Sequence, residues 1–322
     1  MKIVVVGPGA MGCLFAGLLA EAGQGDIWLL DRNEQRAREI TENGLRIEDV
    51  YDKSVPDCLR VVRAISGFRA TANPQEIGVA DLVLICVKSY DTEEASHSIS
   101  PVVGNDTTVL TLQNGLTNVE VISRVLGADR AIAGVTSHGA TMLGSGHVRH
   151  AGVGRTIIGD PAGGMSPRIE IIADILTSAG IQTEISRNIY DSIWTKLIIN
   201  AAINPLTAIT RLKNGELLEH DETRQLLSMT AEETASIARS AQPSLSVDDA
   251  TSVVETVCKA TSSNISSMLQ DVLRQRRTEI DAINGAIVNK AKKMGIESPI
   301  NETITYLVKG IESGWRSKAN PA

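Results

Sequence analysis

Aromatic residues are scarce in this 322-residue chain: two Phe, three Trp and four Tyr, 3% in all. That scarcity argues against the stacked aromatic platforms that hold single-stranded nucleic acid. Cysteine is nearly as rare. Cys13, Cys58, Cys86 and Cys258 are widely scattered, with no CxxC pair and no histidine at ligand spacing. Cys13 and Cys86, within apolar stretches, read as small core residues, and the scatter predicts a reduced, cytoplasmic protein with no structural metal. The five histidines form no HExxH or related pattern. Long hydrophobic runs are missing too, since "LVLICV" is far too short to span a bilayer. "MKIVVVG" enters a strand directly, so no secretory leader is expected. Positive charge is not in excess. A formal charge of -7 provides no bulk attraction to nucleic acid or anionic lipid, and neither is expected as a partner.

What remains is an ordinary globular composition, 43% hydrophobic and 21% charged, in a chain long enough for two domains. The first half alternates β-rich apolar runs with helical patterns. "KIVVV" precedes a helix from about Gly9, "DIWLLD" one from Asn33, and "DLVLICV" one from Asp91, while "TTVLTL" and "AIAGVTSH" continue the rhythm. This alternation predicts an α/β domain with a parallel sheet and right-handed crossovers. Two segments interrupt it: residues 44–64 read as a short β excursion, and "GHVRHAGVGRTIIGD" (146–160) reads as a hairpin. After "IQTEIS" the β signal ends. Helices are expected at 188–204, 215–241, 246–260, 268–294 and 299–313, which makes residues 1–187 one domain and 188–322 an all-helical second one.

"VVVGPGAMG" places Gly7, Gly9 and Gly12 between an apolar strand and a helix. The first glycine suits a tight turn, the second lets a pyrophosphate approach the backbone, and the third allows helix and strand to pack closely. Ala10 and Met11 lie in the first helical turn, whose amides and dipole favour an anion. The motif reads as a dinucleotide site. Asp31, 19 residues after Gly12, is placed to accept hydrogen bonds from an adenosine ribose 2′-OH, as in NAD sites. Arg32 and Arg36 suit a 2′-phosphate instead, and the two signals leave NAD and NADP both open. Lys88 follows the strand "LICV", and Gln113, Asn114 and Gly115 follow "VLTL". Polar residues just beyond parallel strands face the ligand crevice of an open α/β sheet.

In "NIYDSIWTKLIINAAINP", residues Ser192, Lys196, Asn200 and Asn204 are four apart in an otherwise apolar segment. On a helix each four-residue step turns by only about 40°, so these side chains share one face. A ligand cleft or a buried hydrogen-bond network with Lys196 snorkelling outward would each explain the stripe. Further on, Ser267 and Gln270 fit an S-x-x-Q capping box, and Glu279, flanked by Arg276, Arg277 and Asp281, reads by itself as a surface ion-pair residue.

Taken in order, "GPGAMG", "VKSYDT", "LQNG", "WTKLIINAAINPLTAI" and "NISSMLQDVLRQRRTEIDAINGAIV" resemble ketopantoate reductases (2-dehydropantoate 2-reductases) over nearly the whole length. Pro8 stands where alanine is usual in that family. The resemblance implies a Rossmann domain followed by an all-α domain like the C-terminal domain of 6-phosphogluconate dehydrogenases. It implies NADPH-dependent reduction of the 2-keto acid ketopantoate to pantoate, on the route to pantothenate and coenzyme A, although Asp31 also admits NAD. By motif match, Lys196 is the catalytic lysine and Glu279 the catalytic acid. Asn114 would contact nicotinamide or substrate, and Lys88 the cofactor side. Asn200, Asn204, Asn264 and Ser267 would hold the substrate's hydroxyl and carboxylate. The helical domain could also form a homodimer. The alternatives are another NAD(P)H-dependent 2-keto or 3-hydroxy acid dehydrogenase of this plan, or a redox sensor that binds the cofactor without turning it over.

Overall fold

The computed structural model describes residues 1–49 and 61–319, so residues 50–60 of the expected β excursion, including Cys58, lie outside the described residues. The chain forms two compact units. One comprises Met1–Gln113 and Asn118–Ile189; the other comprises Asn114–Thr117 and the chain from Tyr190 onward.

The first unit contains β1 (Lys2–Val6), α1 (Ala10–Glu21), β2 (Asp26–Leu30), α2 (Glu34–Asn43), β3 (Leu45–Asp49), β4 (Val62–Ile65), β5 (Phe68–Thr71), β6 (Ala80–Ile85) and α3 (Thr92–Ser98). It continues with β7 (Val103–Thr111), α4 (Asn118–Leu126), β8 (Ala131–Thr136), β9 (Gly139–Gly144), β10 (His147–Gly152), β11 (Thr156–Gly159), α5 (Pro167–Ser178) and β12 (Thr183–Ile185). Among the described residues, eight strands form one sheet in the order β12-β11-β8-β7-β6-β1-β2-β5. Its pairs are parallel except that of β11 with β8. The inner strands are continuous apolar runs because helices cover the sheet. Ile3, Val5, Ile27, Leu29, Leu82 and Leu84 are fully buried.

The expected hairpin at 146–160 is not formed. β10 pairs antiparallel with β9, while β11 belongs to the large sheet. The reversal lies earlier, at Gly146, whose φ of 63° suits a tight turn. β9 and β10 join β3 and β4 in a second sheet, ordered β4-β3-β10-β9. The chain leaves the large sheet after β8 and returns as β11, which explains the single antiparallel pair. Between the two sheets lies α1, with Cys13, Leu14, Phe15, Ala16 and Leu19 fully buried, which accounts for its nearly all-apolar sequence.

The second unit is helical: α6 (Ile189–Thr210), α7 (Asp221–Ala241), α8 (Ala250–Ala260), α9 (Ser267–Leu273), α10 (Asn284–Lys293) and α11 (Pro299–Ala319). Several expected bounds change here: the helix expected over 215–241 starts only at Asp221, and the one expected from 246 starts at Ala250. Helix α6 does not stop at residue 204 but continues through Pro205 for a further turn. The single helix expected over 268–294 is two, α9 and α10. The chain breaks at Gln275, a non-glycine residue at φ 51°, and residues 274–283 are turns and irregular chain. Thr278 is pinned there by Glu312 of α11, whose Oε1 accepts from the Thr278 amide at 2.7 Å and its hydroxyl at 2.6 Å. Among the described residues no helix is long and apolar enough to cross a membrane.

Candidate active site

In the first unit the polypeptide reverses direction across the sheet between β1 and β6, which are neighbours though far apart in sequence. Ligands of open α/β sheets bind beyond the strand ends at such a switch point. Gly7 follows β1 at φ 89°, and a Cβ on it would lie 2.6 Å from Val87 Cγ1. A Cβ on Gly12 would lie 2.2 Å from the Gly7 carbonyl oxygen. Both positions therefore require glycine for packing. Gly9 differs: a Cβ there would meet nothing within 4 Å. Its lack of a side chain leaves open room in front of α1. Gly9 is the N-cap of α1 and supplies no side-chain cap, so the amides of Ala10, Met11 and Gly12 lie in a first turn without helical acceptors. This cradle fits a pyrophosphate.

Lys88 directly follows Val87 at the end of β6, half-buried and extended. Gln113, at the end of β7, donates through Nε2 to the Val87 carbonyl at 2.7 Å and to Thr92 Oγ1 at 2.9 Å. At the end of β2, Asp31 is buried, and its carboxylate is occupied. Arg36 makes a two-pronged ion pair with it, with Nη2 2.6 Å from Oδ1 and Nε on Oδ2, and the Asn33 amide donates to Oδ1 at 3.1 Å. Arg32 instead extends outward, 3.5 Å from Asp91 and 3.8 Å from Glu94.

In the second unit the polar stripe of α6 is present as the spacing implied. Ile193, Trp194, Leu197, Ile198, Ala201, Ala202 and Ile203 are buried around it, while Ser192, Lys196 and Asn200 are half-buried and Asn204 is buried. Asn200 Nδ2 donates to Asn114 Oδ1 at 3.3 Å, and Asn114 Nδ2 donates to Glu279 Oε2 at 3.4 Å. Burial pushes the Lys196 ammonium down to about 8, against an opposing pull from the Glu279 carboxylate. Glu279 is only 7% exposed. It is therefore not at the surface, where Arg277 pairs with Asp281 at 3.5 Å. The break between α9 and α10 is what turns Glu279 inward. Asn114 is held by its neighbour Gly115, at φ 104°, where a Cβ would lie 2.7 Å from the Ala282 carbonyl oxygen.

The expected capping box also shifts by one residue. Ser266, not Ser267, caps α9, accepting from the Leu269 amide at 3.1 Å and lying 2.6 Å from Thr207 Oγ1 of α6. Ser267 is exposed and is the first residue of α9, and the Asn264 carbonyl accepts from the Asn214 amide at 3.1 Å. Ser266 and Thr207 escaped the sequence reading, although Thr207 follows Asn204 at helical spacing. Among the described residues no group of three or more His, Cys, Asp and Glu could hold a metal ion.

A glycine turn suited to a dinucleotide on an α/β unit and a largely desolvated lysine–carboxylate–amide cluster on a helical unit define the class of two-domain dinucleotide-dependent oxidoreductases. The chain belongs to the ketopantoate reductase family: residues 3–163 match the model "Ketopantoate reductase PanE/ApbA" and residues 188–312 match its C-terminal companion. It is 35% identical over 314 residues to a 2-dehydropantoate 2-reductase of Archaeoglobus fulgidus, covering 97% of this chain and 98% of the relative. A ketopantoate reductase of Ralstonia eutropha superposes with a TM-score of 0.86 at 32% identity, covering 98% of this chain and all of that one. A D-mandelate dehydrogenase solved with NADH and anilino(oxo)acetate has a TM-score of 0.88 at 27% identity, covering 98% and 99% of the two chains.

Proposed function

We propose that this protein is a cytoplasmic reductase that converts 2-dehydropantoate to pantoate with NADPH, in which Lys196 is the proton donor. The observation that carries the reading is the cluster of Lys196, Asn200, Asn114 and Glu279, joined by side-chain hydrogen bonds and charge within one unit. A bound nicotinamide supplies the hydride that reduces the keto carbon. As that happens, negative charge develops on the carbonyl oxygen, and an ammonium beside it stabilises the charge and delivers a proton. A lysine at its ordinary pKa gives up its proton reluctantly. Burial that brings Lys196 to about 8 makes it a better acid while leaving most of it protonated at neutral pH.

Glu279 keeps the ammonium oriented and, through Asn114, holds the amide side chains in place. Asn200 and Asn204 present amides along the same face of α6 and suit the hydroxyl and carboxylate of the substrate, with Asn264 and Ser267 as further contacts. Gly7, Gly9, Ala10, Met11 and Gly12 would hold the pyrophosphate, and Lys88 the cofactor side of the crevice. NADPH is favoured over NADH because Arg36 neutralises Asp31 and brings a guanidinium to the place where a 2′-phosphate would sit, with Arg32 exposed beside it.

The test is loss of NADPH absorbance with 2-dehydropantoate, compared with a panel of other 2-keto acids and with NADH. Turnover with 2-dehydropantoate and NADPH at the highest kcat/KM is expected. A higher value with another keto acid, or no oxidation with any, would overturn the assignment.

A further inference from the structure

Pro205 lies inside α6. Proline has no main-chain N–H, so the carbonyl of Ala201, four residues earlier, loses its helical donor. That oxygen is nevertheless satisfied: Asn284 Nδ2, from the first residue of α10, donates to it at 3.1 Å. The same nitrogen donates to Asn301 Oδ1 at 2.9 Å, and Asn301 Nδ2 donates to Glu233 Oε1 at 2.7 Å. Asn284 and Asn301 are fully buried.

Asn284 Oδ1 has no hydrogen-bond partner among the described residues. Flipping the amide would set its oxygen against two acceptors, so the network fixes its orientation. A buried acceptor left unpaired costs about 1–3 kcal/mol. The amide is therefore retained for what its donor end does. Asn284 directly follows the turn that carries Glu279, in which the Ile283 amide bonds to the Glu279 carbonyl at 3.0 Å. Ala201 directly follows Asn200. One side chain thus links the helix of Lys196 to the segment of Glu279.

We propose that Asn284 is a positioning residue: by occupying the carbonyl that Pro205 exposes, it fixes the Lys196–Asn200 face of α6 against Glu279. The inference rests on the roles assigned to Lys196 and Glu279 above. Small misplacements of a proton donor are costly because transfer requires hydrogen-bond reach and alignment. Without the Asn284 bond, α6 has an unpaired carbonyl at Ala201 and loses its direct main-chain tie to the segment that follows the Glu279 turn.

Proline supplies the control, because Pro205→Ala returns an N–H to the Ala201 carbonyl. Wild type, N284A, P205A and N284A/P205A would be compared for kcat with 2-dehydropantoate, for NADPH affinity, and for the pH midpoint of Lys196 acylation mapped by peptide mass spectrometry. N284A is expected to lower kcat at least about tenfold with NADPH affinity within about twofold, and to move the Lys196 midpoint by about half a pH unit or more. The double variant is expected to recover at least half of the lost kcat on a logarithmic scale and to return the midpoint towards wild type. If N284A does not accumulate as folded protein, N284S, which keeps a hydroxyl donor, is read in its place. An unchanged kcat and midpoint in the Asn284 variant, or a double variant no better than the single one, overturns the proposal. Absence of turnover by wild type would refute the functional reading alone, and the labelling midpoints would then decide the positioning role.

Discussion

Replacing Lys196 by methionine separates catalysis from stability in a way the structure makes quantitative. Methionine keeps the length of the side chain and removes the charge. Loss of a positioned general acid is expected to lower kcat by at least about a hundredfold, or about 2.7 kcal/mol in the barrier. Stability should move the other way. The Lys196 ammonium is pushed from 10.5 to about 8 in the fold, so the charged form is penalised there relative to the unfolded chain. Below pH 8 that penalty is fully present. It fades as pH rises from 8 towards 10.5, where the unfolded lysine also loses its proton. The shift corresponds to an upper limit of about 3 kcal/mol, reduced by the partial exposure of the side chain. That figure already includes the attraction of Glu279, because the shift is the net of both effects. Lys196→Met should therefore be nearly inactive yet melt no lower than wild type. Wild-type kcat should also fall about tenfold between pH 7 and pH 9 as the ammonium deprotonates, a limb absent from the residual activity of the variant. The assay is NADPH absorbance at saturating substrate across that range, with melting by circular dichroism. A folded variant within about threefold of wild-type kcat would refute the reasoning.

Other perturbations probe separate parts of the molecule. Gly12→Ala forces a Cβ to within 2.2 Å of the Gly7 oxygen and should lower Tm, whereas Gly9→Ala, with open space, should leave Tm unchanged and weaken NADPH binding at least about tenfold, read by fluorescence titration. Arg36→Ala should raise KM for NADPH by about tenfold or more and relatively favour NADH, because Asp31 is then free to accept from a ribose hydroxyl. Gly115→Ala combines a φ of 104° with a contact to the Ala282 oxygen, and should cost about 1–3 kcal/mol in urea denaturation and lower kcat with it. His138 and His150 are buried side by side, Nδ1 to Nε2 at 3.0 Å, and burial, with the neighbouring His150 adding to it, pushes His138 down to about 4. Its contribution to stability is complete above about pH 6.5 and is lost as pH falls towards 4, by up to about 3 kcal/mol; His138→Gln should flatten that limb of the urea-derived profile.

The glycine turn between β1 and α1 was legible in the chain because its geometry is local. Gly7, Gly9 and Gly12 act through their own φ angles and through neighbours a few residues away, and the apolar runs around them specify strand and helix by period alone. The polar line of α6 was legible for the same reason, since spacing on one helix decides which side chains share a face. The adjoining elements were less so. Met268, Leu269, Val272, Ile280, Ile283 and Ile287 keep a helix-like apolar rhythm through residues 274–283, yet the chain turns there. The turn depends on Gln275 at positive φ and on Glu312 holding Thr278 from 34 residues away, a partner that no local pattern announces. The strand at 147–152 left its expected partner for a similar reason: a turn two glycines earlier and a pairing with β3 about a hundred residues back outweighed the local alternation.

From sequence alone, the residue types, their order and their periodicity determined an α/β unit with a dinucleotide loop and a helical unit with one polar face. Tertiary structure decided that Glu279 is buried beside that face, that Arg36 occupies Asp31, and that Asn284 answers the carbonyl freed by Pro205. Each of these depends on desolvation and on partners brought together across distant stretches of chain, which spacing within a single element cannot encode.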